Sequence, residues 1–478
     1  MTLNDFVGGS YQDQSRVRAG ERCINMLPEF GESGAALYPT PGLSEFATFG
    51  DSPGRGIYAE KGSGRLFAVY GATLYEVSSA GVPTARGAVA VDQNPAQLSS
   101  NGDGGDELLA VSGDSGYLLD LGTNAFTTEV ADASHCGLVD GFLWALDPAT
   151  GTLKISDFLD GTIWDPTQIA QRTAAPDPWK AGITIEREIV LFGDDTGEVF
   201  YNAGASPFPF RKRGSSDFDV GIAAYFSLAK MGASCAWLGR SEQDGYGVYH
   251  MNGYTPEKIS PPGLDWLIQS YADDVGISDA FGWGYGREGH GFYVLQFPSS
   301  GRTHVYDARM RRWHERGKWD ALSGDFGVYR GAFHAFAFDR NLVCDPQSNK
   351  MYSLSSTTYT DVDGDVLRRV RRTSHLHSEN KRMFYKRAEL VCERGVGLNV
   401  AATASGYDPV VGLRYSNDRG YTWSDERLRT IGRRGEWNGR TEWNQCGSGR
   451  DRQWEIVGTD PVPYRWYDFN FDFDIGRA

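Results

Sequence analysis

Between Ala280 and Arg316 the chain writes out four short β-prone runs, each set off from the next by turn chemistry. Phe281-Gly-Trp-Gly-Tyr285 turns through Arg287-Glu-Gly-His290 into Phe292-Tyr-Val-Leu-Gln-Phe297. Pro298-Ser-Ser-Gly301 then leads to Thr303-His-Val-Tyr306, and Asp307-Ala-Arg-Met-Arg-Arg312 to Trp313-His-Glu. Four strands within 37 residues leave no room for crossover helices, so neighbours must pair antiparallel. A four-stranded meander of this size is the building unit of a β-propeller, and Arg312-Trp313 places a large ring where it could cover the rim of its own sheet.

The same rhythm recurs with looser spelling over residues 55–89, 96–130, 135–166, 179–213, 223–260 and 324–360. Typical runs are Leu66-Phe-Ala-Val-Tyr70, Glu107-Leu-Leu-Ala-Val111, Phe142-Leu-Trp-Ala-Leu146 and Glu188-Ile-Val-Leu-Phe192. Units of roughly 32 to 40 residues predict a propeller of about seven blades over residues 55–361. A repeat array also explains how 478 residues fold without one oversized core. A short helix is expected near Asp265–Asp274, before the sixth blade.

After Thr360 the rhythm breaks and longer runs follow, at 366–373, 382–392, 412–416, 453–457 and 466–473. Residues 362–478 are therefore expected to form a second all-β domain of sandwich type. Residues 1–54 show no strand period and place Pro39 and Pro41 around Thr40, which favours extended backbone. Their aromatic and aliphatic content predicts an arm, with Tyr11, Leu27, Tyr38 and Leu43 buried on something outside the arm itself, and so suited to assembly.

Charge narrows the function classes. With 47 Lys and Arg against 62 Asp and Glu, the net charge of −15 disfavours a reader of nucleic-acid phosphate. One stretch departs from this: residues 368–394 carry nine basic residues against three Glu, which suits a solvated strand face or an acidic protein partner. The six cysteines are scattered and none forms a C-x-x-C pair, as expected of core thiols. No apolar run is long enough to span a membrane, and the first residues lack a signal-peptide pattern, so synthesis without export by the usual route is expected.

Few local patterns carry chemistry. Ser416-Asn-Asp418-Arg-Gly420-Tyr-Thr-Trp423 matches the Asp-box hairpin turn, in which the carboxylate caps backbone amides, the glycine takes positive φ and the ring packs beneath the hairpin. It occurs once and outside the propeller units, so a structural role is expected. Asp361, Asp363 and Asp365 alternate like the start of a calcium loop, but Arg372 stands where the closing carboxylate would be. Whether they hold a cation, or simply form a polar domain junction, stays open at this level. His375 and His377 share a strand face without a third ligand nearby in sequence. Carboxylates suitable for glycoside hydrolysis are plentiful, yet no pair is singled out, and nothing marks a catalytic residue or a bound cofactor.

An ordered set of short motifs runs nearly the length of the chain. It comprises Arg22-Cys-Ile-Asn25, Tyr38-Pro-Thr-Pro-Gly-Leu43, Arg55-Gly-Ile57, Ile268-Gln-Ser-Tyr271, Phe292–Pro298, His304-Val-Tyr306-Asp307 with Trp313, and Tyr329-Arg-Gly331. Ser416–Trp423, Gly447-Ser-Gly-Arg-Asp-Arg-Gln-Trp454 and Asp460-Pro-Val-Pro463 complete it. In this the chain resembles the tail hub, or nozzle, proteins of short-tailed phages, the packaged-DNA stabilisation proteins. The resemblance implies a non-enzymatic virion component made in the host cytoplasm and assembled as a hexameric ring below the portal and adaptor. It further implies contacts to a tail needle, spike or fibres, and DNA passing through the lumen without sequence-specific binding. The competing expectations are a propeller glycosidase or sialidase-like carbohydrate-binding protein, which the single Asp-box and many aromatic residues support, and a receptor-binding module without catalysis.

Overall fold

The second strand of every repeat unit is apolar on both faces, and this dictates the architecture. Leu66–Tyr70, Glu107–Ser112, Phe142–Asp147, Glu188–Phe192, Ser234–Ser241 and His290–Phe297 are mostly buried, as are the last three residues of Arg340–Cys344. Such strands must be covered on two sides, as happens when sheets stack face to face around an axis. In the computed structural model, residues 6–15, 19–31, 34–172, 176–241, 243–379 and 381–476 are described. Among them, seven small antiparallel sheets form the blades: residues 54–88, 97–131, 135–171, 181–212, 221–258, 281–315, and finally 332–355 with a strand from elsewhere. The fifth blade splits its innermost strand into Gly221–Ile222 and Ala229–Met231. Helix Pro262–Asp274 lies between the fifth and sixth blades and buries Leu264 and Ile268.

The seventh blade takes its fourth strand from the beginning of the chain. Gly42–Thr48 pairs antiparallel with Lys350–Ser355, from Lys350 opposite Thr48 to Ser355 opposite Gly42. A Cβ at position 42 would lie 2.4 Å from the Thr358 carbonyl oxygen, so glycine alone lets the strand enter beside the outgoing chain. Ala47, Phe49, Leu66, Tyr70, Leu342 and Met351 then form one core across blades 7 and 1, which closes the ring.

The rest of the N-terminal segment builds the second domain. Gly20–Ile24 pairs with Arg369–Arg372 and bridges to Arg312–Glu315, the outer strand of blade 6. One sandwich sheet is thereby continuous with that blade, through Asp451–Gly458, Val410–Ser416 and Arg427–Thr430. The hairpin of Met26–Gly31 and Gly34–Pro39 edges the facing sheet, against Trp466–Ile475, Met383–Cys392 and Thr441–Asn444. Between the two sheets, Cys23, Met26 and Leu37 share a core with Trp443, Trp454, Trp466 and Phe469.

The expected arm is thus corrected. Residues 11–48 hold five strands, and Leu43 is buried inside the propeller of its own chain. The seventh unit is corrected too. Asp325–Gly327 pairs with Lys318–Asp320 in a separate hairpin, because the missing blade strand arrives from residues 42–48 instead.

Candidate functional site

The densest polar chemistry lies where blade 6, the N-terminal segment and the sandwich meet. Arg22 sends Nη2 to Glu315 Oε2 at 2.6 Å and Nε to Oε1 at 3.1 Å, across 293 residues of sequence. Burial would push the Glu315 carboxyl up, but the Arg22 charge and these hydrogen bonds outweigh it and hold it at about 2. Asn25, at φ 55°, donates from Nδ2 to the carbonyls of Gly317 and Arg368, at 2.9 and 2.8 Å. Arg371, fully buried, donates to the Phe6 and Gly9 carbonyls and pairs with Glu21. Glu455, 1% exposed, sits between Arg372 and Arg414.

These contacts correct the reading of residues 368–394 as a solvated basic face in its first part, residues 368–372, while Arg382 and Lys386 do stand exposed. Arg368, Arg369 and Arg371 are buried, and Arg372 is partly so. They cap distant carbonyls and carboxylates, which sequence spacing cannot reveal. Arg369 donates to the carbonyls of Leu367 and Tyr359, both at 3.1 Å, and burial lowers its guanidinium to about 10.

The Asp-box turn forms as a closed local unit. Ser416 Oγ donates to Asp418 Oδ1 at 2.7 Å and accepts from the Gly420 amide at 2.8 Å. Asp418 also accepts from the Thr422 amide and hydroxyl, which with the Ser416 bond hold its carboxyl down at about 2. Gly420 takes φ 83°. Trp423 is only half-buried, with the Arg372 and Arg414 guanidiniums 4.6 and 5.1 Å from its ring centroid. The ring lies 3.7 Å from where a Cβ on Gly420 would stand, and it is also a platform for the arginines that serve Glu455.

The three alternating aspartates diverge. Asp361 is buried and caps the Val362 amide, Asp363 meets Lys350 at 2.7 Å, and Asp365 meets Lys318 at 2.9 Å. Asp363 stands at φ 57°, and its carboxylate also accepts from the Tyr352 hydroxyl at 3.1 Å. His375 pairs with Asp451 at 3.0 Å, while His377 is exposed. No group of three or more His, Cys, Asp or Glu among the described residues is arranged to hold a metal.

Of the residues expected to serve assembly, Leu27 and Tyr38 line a cavity at the domain junction, Leu43 is core, and Tyr11 remains 37% exposed. A second cavity of about 300 Å³ lies on the propeller axis, where Gly56, Leu98, Gly182, Lys230, Trp283 and His334 converge. Its lining includes no Asp or Glu, so the paired carboxylates of glycoside hydrolysis are not presented there.

Surface charge is polarised along the molecule. From 97 to 171, the span of blades 2 and 3, twelve Asp or Glu face Lys154 as the one basic residue. Asp103, Asp106, Asp114, Asp132, Asp157 and Asp165 are exposed. In a seven-bladed ring the point opposite blade 6 falls between blades 2 and 3, so this acidic pole lies across the propeller from the sandwich. The sandwich carries exposed Arg429, Arg433, Arg434 and Arg440 beside Leu428, 53% exposed, and Trp437, 75% exposed.

Among solved structures, the N-terminal domain of Nup159 is similar over 70% of this chain and 99% of its own, at 11% identity and a TM-score of 0.40. The extracellular domain of BT4673 from B. thetaiotaomicron covers 74% of this chain and 45% of its own, at 8% identity and 0.43. Dihydro-heme d1 dehydrogenase NirN covers 84% and 80%, at 13% identity and 0.41. No curated protein sequence matches the chain. Two family profiles do, one described as "Bacteriophage P22 Gp10, beta-propeller" over residues 6–359 and one as "Bacteriophage P22 Gp10, beta-sandwich" over residues 368–474. Together they span the propeller, the strands that the N-terminal segment lends to both domains, and the sandwich. The chain belongs to the phage P22 Gp10 family, the packaged-DNA stabilisation proteins of short-tailed phages, and is a phage structural protein.

Proposed function

We propose that this protein forms a closed hexameric ring at the tail hub, below the portal and adaptor, where it retains packaged DNA and conducts it at ejection. The observation that carries the reading is the charge polarity. An acidic pole on blades 2 and 3 lies opposite a sandwich edge bearing four exposed arginines and Trp437. Complementary patches at opposite ends of one subunit favour head-to-tail contact, the heterologous geometry from which rings close. Trp and Arg are also the side chains that most often anchor interfaces. The net charge of −15 supports a channel wall that does not grip phosphate, so DNA can slide once released. Tyr11 and Phe30, 37% and 44% exposed, are the apolar parts of the N-terminal segment left for a neighbour or the adaptor.

Charge reversal tests the reading. Arg429, Arg433, Arg434 and Arg440 changed together to Glu should turn rings into monomers by mass photometry at low salt, and particles carrying the variant should leak their genome. Adding Lys at Asp103, Asp106, Asp157 and Asp165 in the same chain should restore both. Rings and genome retention that survive the arginine reversal would refute the head-to-tail contact.

A further inference from the structure

The junction cavity holds a cation that no carboxylate among the described residues answers. It measures about 320 Å³, and its walls come from three parts of the fold. Leu27 and Tyr38 belong to the N-terminal hairpin, Tyr285, Phe292 and Arg316 to the end of blade 6 and its exit, and Arg465 to the sandwich. Arg316 is 3% exposed, yet among the described residues Nε and Nη1 have no hydrogen-bond partner, and its answer is two hydroxyls, that of Tyr285, to which Nη2 donates, and that of Tyr329 beside it. Its guanidinium stands 5.4, 5.6 and 5.6 Å from the ring centroids of Tyr285, Phe292 and Tyr329. No ion pair to a carboxylate forms within 4.0 Å among the described residues.

The contrast with the other buried arginines is what gives this weight. Arg22 has Glu315, Arg372 has Glu455, Arg371 has Glu21 and two carbonyls, and Arg369 and Arg452 are capped by carbonyls. Arg316 has aromatic faces and two hydroxyls. A buried guanidinium is expensive unless paired and hydrogen-bonded, and aromatic rings supply only part of the compensation. The other arginines on the wall are already matched, since Arg287 pairs with Glu288 at 2.9 Å and Arg465 pairs with Glu393. Glu29 also lines the cavity, so an occupant must satisfy Arg316 while staying clear of that carboxylate.

We propose that the cavity binds a small free oxyanion, phosphate or carboxylate, on Arg316. The volume lies at the low end for small-molecule sites, which suits an anion of phosphate to citrate size. An occupant would touch walls supplied by propeller, hairpin and sandwich at once, and so fasten the two domains together.

The test uses the full-length chain. Melting temperature is followed against inorganic phosphate and, separately, sodium citrate, with sodium chloride holding ionic strength constant. Wild type should show a saturable rise with at least one anion, and which one responds identifies the chemistry. Arg316→Met removes the charge at similar volume, so it should fold, melt at or above anion-free wild type and give no saturable rise. Should the variant misfold, calorimetric titration of wild type with phosphate and citrate decides alone, and saturable heat is expected. No saturable response of wild type to either anion, or an Arg316→Met response equal to wild type, would overturn the proposal.

Discussion

Arg22→Met probes the clamp between the N-terminal segment and blade 6. Glu315 is 4% exposed, and its carboxyl sits at about 2 against an ordinary 4.5. A depression of that size corresponds to roughly 3 kcal/mol of stabilisation at neutral pH. Losing the guanidinium also strands the carboxylate, and breaking a buried pair from one side costs about 3–5 kcal/mol. The variant should therefore lose about 3–5 kcal/mol at pH 7 in urea unfolding followed by tryptophan fluorescence. Adding Glu315→Gln should return most of that, since the stranded charge is gone and an amide can still hydrogen-bond. The pH dependence carries a sign of its own. In wild type the folded carboxyl is depressed, so its contribution is present above pH 4.5 and is lost as pH falls through about 2. In the variant the largest influence left on the carboxyl is burial, which raises it against the weaker pull of the Ser10 hydroxyl, so the deficit should shrink between pH 7 and pH 5. The neighbouring His304, held at about 4 by burial, stays neutral over that window. A loss under about 1 kcal/mol at pH 7, or a deficit that is the same at both pH values, would refute the reasoning.

Four further outcomes follow from the same contacts. Burial raises the Asp361 carboxyl to about 6, so stability falls as pH climbs from 3.8 through 6; Asp361→Asn should gain roughly 2–3 kcal/mol at pH 8 and little at pH 4 in thermal melts. Removing residues 1–48 takes the outer strand from blade 7 and strands from both sandwich sheets, so the truncated chain should aggregate; a cooperative melt would count against the assigned pairing. Cys23, Cys235 and Cys344 are buried, with thiols pushed up to about 12, and half-buried Cys392 stands at about 11. A disulfide reagent should therefore label the native chain slowly, with Cys392 first, and all six thiols in guanidinium. Asp418→Ala should lower the melting temperature through the lost turn bonds without disturbing ring formation, and loss of rings at unchanged melting temperature would contradict a purely local role.

The propeller was legible because its information is local. A strand buried on both faces must be spelled as an apolar run, and seven such runs, 35 to 56 residues apart, define the blades. The Asp-box was legible for the same reason, since the bonds of Ser416 and Asp418 that shape the turn close within seven residues, from Ser416 to Thr422. The N-terminal strands were not. Pro28 and Pro39 argue against strand, yet Met26–Gly31 is the edge of its sheet and Pro39 ends its strand, where a missing amide is tolerated. The pairing of Gly42–Thr48 is interrupted by a register shift opposite Met351 and Tyr352, so no clean alternation survives. Arg368–Arg372 looked solvent-facing because charge usually is, and only the fold shows that carbonyls from residues 6, 9 and 359 converge on them.

The borrowed strand of blade 7 also sets an order on biosynthesis. Residues 42–48 leave the ribosome early, but their partner at 350–355 follows about three hundred residues later. The Met26–Pro39 hairpin waits longer still, for Trp466. Blades 1 to 6 can close their own hydrogen bonds as they emerge, while the opening segment, beyond its own local hairpin pairing, must wait for partners in blade 7 and the sandwich. Folding should thus end with a late, concerted docking of the chain's first fifty residues, slow by the standards of so local a repeat. Until then the ring gapes between its seventh and first blades, and an unfinished subunit offers a neighbour no completed surface.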